Sequence, residues 1–171
     1  MESRGKIGDT MGDPHRIRRI GAGFLLSGSV IVTGASFLSW AHVESSATSV
    51  ATSISLSGFA FFQETLGRGG LVAAFVLWAP ALLLAALAIA VLADHARKGQ
   101  EPRISCLFLA LMGAFFVRAS AWLFLHPFRE LANGVRTLDY GLYVALAGYV
   151  FAFMGALLLP AIPATAAPMS S

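Results

Sequence analysis

Hydrophobic and polar positions in this chain do not alternate finely; they fall into long blocks. Four apolar stretches, Ile20 to Trp40, Leu71 to Ala93, Ile104 to Leu125 and Gly141 to Pro160, approach or exceed the roughly 18–20 residues a helix needs to cross a bilayer. Polar segments separate them: a long one from Ala41 to Gly70, a short basic one at 94–103, and a third following the third block. The pattern predicts an all-α transmembrane fold: a four-helix bundle with spans at about 20–40, 71–93, 104–126 and 140–160. Residues 1–19 read as a disordered basic tail and 161–171 as a disordered second tail.

The segment 41–70 has finer structure. In its first half Val50, Ile54 and Leu56 alternate with serines and Thr52, the rhythm of a short strand. Paired with residues 41–44 it would make a small hairpin, which needs the helices beneath it to be stable. The second half, SGFAFFQETLG, predicts a short interfacial helix. Ser57 would cap it, Phe59, Phe62 and Leu66 would share a face, and Gly67 would stop it. The loop as a whole reads as a small extracytoplasmic cap.

Block four carries a packing signal. Gly141, Ala145, Gly148, Ala152 and Gly155 recur every four or three residues and so line one helix face. Small residues in such a row let a second backbone approach closely. Block one has Gly21, Gly28 and Ala35 one heptad apart, and the two rows predict helices one and four side by side. The other face of block four, with Leu142, Leu146, Tyr149 and Phe153, is expected to meet lipid. Pro80, inside block two, reads as a kink.

Charge then orients the chain. Arg4, Lys6, Arg16, Arg18 and Arg19 precede block one, and Arg97, Lys98 and Arg103 sit between blocks two and three. Only Arg68, Arg129 and Arg136 fall in the other two loops. The positive-inside rule therefore places both termini in the cytoplasm of a plasma-membrane, multi-pass protein. Trp40, Trp78 and Trp122, with Tyr140 and Tyr143, fall toward the opposite ends of the blocks, as an aromatic belt would. Block one follows a basic lead, RIRR, as a signal peptide does, but its apolar run is long enough to span, so it is read as retained. Met11 opens a second sensible start, MGDPHRIRR.

Across 171 residues the chain is 57% hydrophobic and 12% charged, with a formal net charge of +3. This leaves no room for a separate soluble domain and points to a lipid bilayer, not nucleic acid, as its surroundings. The lone Cys106 excludes an internal disulfide, including the outer-loop pair of a claudin-like tetraspan. No phosphate-binding glycine loop, HExxH, GxSxG or metal-spaced histidine cluster is present, so no catalytic residue, metal or cofactor is expected. The blocks hold no Asp, Glu, His or Lys, which argues against proton-coupled transport and against a small multidrug exporter. An outer polar cluster of His42, Glu44, His126, Arg129 and Glu130, together with Glu64, Arg68 and Asp139, reads as a solvated rim.

A Ser/Thr-rich outer strand ending SISLSGF, a first span ending FLSWAHV and three further spans around a short basic loop resemble the small four-span integral membrane proteins of high-GC Gram-positive bacteria. The resemblance covers most of the chain, implies a plasma-membrane protein, and carries no activity or site residues. The function expected is a non-enzymatic accessory or assembly subunit of a cell-envelope complex. It would meet a membrane-protein partner, or itself, through its small-residue faces. A small oligomeric transporter or channel, lined by the Ser/Thr side of helix one, is the alternative, followed by an outer-interface lipid or cell-wall enzyme.

One residue breaks the pattern. Arg118 is the only charge inside any block. A membrane-buried arginine needs an acceptor, so the expectation is that it faces the bundle interior and pairs with Asp139 or Glu64.

Overall fold

The computed structural model describes residues 14–45, 52–61, 70–93, 103–125 and 134–159. The protein is mostly helical. Its long helices are α1 (Pro14–Ala35), α2 (Gly70–Leu92), α3 (Arg103–Leu125) and α4 (Tyr140–Leu158), with a small antiparallel sheet of β1 (Ser39–Ser45), β2 (Thr52–Ser57) and β3 (Gly134–Leu138). Among the described residues, α3 and α4 are long and apolar enough to cross a membrane. At 1.5 Å per residue they are about 34 Å and 28 Å long, near the ~30 Å of a hydrocarbon core.

The helix α1 starts at Pro14, so residues 14–19 are helical and not the disordered tail expected of them. Proline is favoured in a first turn, where its missing N–H has no intrahelical partner to lose. At the other end α1 stops at Ala35, five residues before Trp40. Ser36, Phe37 and Leu38 donate their N–H groups three residues back, a tightened turn that hands the chain to β1.

The helix α1 packs on α4 and α2, and α3 packs on α4 and α2. The α1–α4 contact is the closest. A Cβ on Gly21 would lie 2.9 Å from the Gly155 carbonyl oxygen, and one on Gly155 would lie 2.6 Å from that of Gly21. Gly141, Ala145, Gly148, Ala152 and Gly155 are all buried. On its other side α4 meets α3, where the buried Tyr149 ring lies against Gly113 in the space a side chain would fill. The expected lipid face of α4 is therefore corrected. Leu142 and Tyr149 are buried and Leu146 and Phe153 pack on the core, while Tyr143, Val150 and Met154 point outward.

All four helices turn large apolar side chains outward, among them Val30 (64% exposed), Phe75 (69%), Phe115 (74%) and Val150 (58%). Outward apolar side chains of this size are uncommon on a water-soluble monomer. Pro80 lies inside α2 and is buried.

Candidate functional site

The sheet has the order β2-β1-β3, which places β1 in the middle. The strands β1 and β2 follow α1, whereas β3 precedes α4, so one sheet joins the two loops at this end of the molecule. The pairing Ser39↔Ser57 is followed by Ala41↔Leu56, so β1 carries one residue more than β2 at this point. Such a bulge breaks the alternation of side chains. Trp40 and Ala41 are both fully buried although adjacent, and Ser39 joins the face of His42.

The two faces then differ in kind. Ala41, Val43, Leu56 and Leu138 belong to the core or pack against it. The opposite face shows Ser39, His42, Glu44, Ser53, Ser55 and Thr137, none of them buried. Here the Ser39 and Ser55 hydroxyls lie 2.6 Å apart, and His42 Nε2 hydrogen-bonds Ser53 Oγ. Ser53 and His42 make the contact of a nucleophile and its base, but on an open face without the water exclusion that such chemistry uses. No group of three or more potential metal ligands occurs among the described residues.

Aromatic side chains seat this sheet on the helices. Trp40 donates its indole N–H to the Ala35 carbonyl at 2.6 Å. Phe61 lies between Trp40, at 5.7 Å between centroids, and Phe124 of α3, at 4.8 Å. Beside them Trp78 of α2 packs edge-on to Phe59 and donates to Ser36 Oγ at 2.8 Å. Of the three tryptophans expected in an interfacial belt, Trp40 is a core plug, Trp78 is half-buried and only Trp122 is exposed. The expected interfacial helix is described only for Gly58–Phe61. That turn packs inward through Phe61, and Ser57 closes β2. Phe62, Leu66 and Gly67 lie outside the described residues.

Asp139 links sheet to helix. Its N–H donates to the Trp40 carbonyl at 2.8 Å, and its carboxylate caps α4 by accepting from the Tyr140 N–H at 2.9 Å. A hydrogen bond from Ser39, then the Tyr140 N–H, then the nearby His42 hold this carboxyl below its usual range.

Arg118 is not among these partners. It stands on the exposed face of α3, which corrects the expectation of an interior arginine paired with Asp139. The interior of α3 is filled by Cys106, Ala110, Gly113, Val117, Ser120, Ala121 and Phe124. Glu64, the other expected partner, lies outside the described residues, as do Arg68, His126, Arg129 and Glu130. Of the outer polar cluster the structure sets Asp139 near His42 and places His42 and Glu44 on one face of β1, among serines that the sequence reading took for strand spacing. The strand β3 was not anticipated. Its only sequence signal is the branched pair Val135 and Thr137 in a five-residue run.

No protein-family model matches the chain, and no curated protein matches it.

Proposed function

We propose that this is a four-span plasma-membrane protein with both termini cytoplasmic, acting as a non-enzymatic accessory or assembly subunit of a bacterial cell-envelope complex. The observation that carries this reading is the sheet. It unites the loop after α1 with the loop before α4, fixes them to the helix ends through Trp40 and Asp139, and turns a hydroxyl-rich face away from the helices. A rigid polar platform on an apolar body suits a protein that presents a surface to a partner.

The same feature supports the proposed threading. Loops that share a sheet lie on one side, which leaves Arg16, Arg18, Arg19 and Arg103 at the other end, in keeping with the positive-inside rule. The outward apolar faces of α1 and α2 support four spans, and α2 is apolar without exception from Trp78 to Leu92.

Two further observations weigh against the alternatives. The hydroxyls of Ser29, Thr33 and Ser36 donate to the carbonyls of Leu25, Ser29 and Val32 one turn earlier, and Ser29 and Ser36 are buried between helices, which weighs against a pore lined by this side of α1. The small-residue row of α4 is occupied by α1 and by residues 38–40, which weighs against self-association through that row.

Native mass spectrometry in mild detergent tests the proposal. A different protein bound in fixed stoichiometry is expected. A pure homo-oligomer would favour a channel instead, and a lone monomer an enzyme.

A further inference from the structure

The outward face of α3 sets a fixed cation in a row of large knobs. Ile104, Phe108, Leu111, Phe115, Arg118 and Trp122 recur every four or three residues, the rhythm of interlocking helices, and all six are exposed. Lipid requires only that such a face be apolar, and five of the six satisfy it. Arg118 does not. It lies seven residues, or about 10 Å, below the end of α3 at Leu125. Side chains tilt toward a helix's N-terminus, which in the proposed threading carries this one away from the nearer surface. A lone charge inside the hydrocarbon region is costly, by about 3 kcal/mol at the centre of a span on the most lenient scale.

The chain's own spans hold no answer to this charge. The apolar blocks contain no Asp or Glu, and the Asp139 carboxylate is held by Ser39 and Tyr140. A second copy brings no carboxylate into its spans either, and two copies meeting through this face would set Arg118 against Arg118. We infer that this face of α3 is the docking surface for a membrane-spanning helix of another protein, one that carries an aspartate or glutamate about 10 Å below its outer end. The carboxylate accepts the two parallel N–H groups of the guanidinium fork in a medium of low dielectric constant. The partner's apolar side chains fit between Phe115, Leu111 and Trp122. The inference rests on the accessory-subunit reading and names its contact.

The test uses the full-length protein, donor-labelled, in neutral phosphatidylcholine vesicles. The probes are three acceptor-labelled synthetic Leu/Ala helices of spanning length. One carries a single Asp seven residues from its outer end, one has Leu there, and one has the Asp seven residues from its inner end. Energy transfer should show the first binding about tenfold more tightly than the other two. Arg118→Met should erase that gain and Arg118→Lys should keep part of it. Because Arg118 is exposed, both variants should keep the wild-type thermal midpoint. Equal binding of all three helices, or a gain that survives Arg118→Met, overturns the inference. So does a gain that appears only with Glu64→Gln, since the cation would then have an internal partner. When phosphatidylglycerol is added to the vesicles, its gathering around the wild type but not around Arg118→Met, with displacement of the Asp helix, assigns the cation to a lipid headgroup and also overturns it. A natural partner that stays bound to Arg118→Met in native mass spectrometry removes this contact and leaves the accessory role standing.

Discussion

Gly28 of α1 and Gly148 of α4 meet backbone to backbone. A Cβ on Gly28 would lie 2.5 Å from the Gly148 carbonyl oxygen, and one on Gly148 would lie 2.9 Å from that of Gly28. Two opposing effects bear on Gly28→Ala. Helix propensity favours alanine by about 1 kcal/mol. Overpacking against a backbone that cannot step aside costs about 1–3 kcal/mol. The clash should win, and the thermal midpoint in detergent should fall. Gly23, with nothing within 4 Å of its Cβ position, supplies the control, and Gly23→Ala should be neutral or stabilising. Equal effects at the two sites would show that the close approach is incidental.

Trp40 ties the sheet to α1, and its two contributions can be separated. Trp40→Phe keeps most of the apolar bulk but drops the hydrogen bond to Ala35. That carbonyl still accepts from Leu38, so the loss should be about 1 kcal/mol. Trp40→Ala empties a fully buried site against Phe61 and should cost about 3–5 kcal/mol. Thermal melts of the two variants check the ratio, and protease cleavage between β1 and β2 should accelerate only in the alanine variant.

The Asp139 link should loosen in acid. Its carboxyl is lowered in the folded protein, so the stabilisation is fully present above the ordinary carboxylate pKa of about 3.9. It is lost as pH falls through the lowered folded value. Amide exchange at Tyr140 and at the β1–β3 ladder should accelerate in that acid range. Asp139→Asn still caps a helix but does not titrate, and should flatten the response. An unchanged acid profile in that variant would assign the sensitivity to another group.

The threading can be read by labelling. In a Cys106→Ser background, a cysteine replacing the exposed Ser55 should react with a membrane-impermeant maleimide added to intact cells. A reporter fused after Ser171 should work only if it needs the cytoplasm. Labelling of that cysteine only after lysis would reverse the orientation.

How much of this was legible in the sequence depends on the scale of the signal. The long helices follow from the long apolar blocks, and the alternation of Ile54 and Leu56 with serines announced β2. The strand β3 was hidden because five residues carry little local preference, and its conformation comes from pairing with β1. Arg118 was misplaced by treating charge as the deciding property. Size was the better guide. Ala110, Gly113, Ser120 and Ala121 mark the packed side of α3, and Phe108, Phe115 and Trp122 the outer side. Arg118 is in register with the large residues. Tyr149 was misplaced for the converse reason, since it looks like a lipid-facing residue until Gly113 is matched to it on another helix.

The central position of β1 has a consequence for how the molecule is made. In the proposed membrane topology, both the glycine contact of α1 and the second edge of β1 wait for α4 and β3, the last described elements to emerge from the ribosome. Until then the nascent chain holds a smooth glycine face and an open strand edge, two surfaces that invite wrong partners. Closure is therefore a late event that joins the first and last described helices. A ribosome stalled before Tyr140 would hold a protein with most of its helices and little of its stability, a ready substrate for membrane quality control.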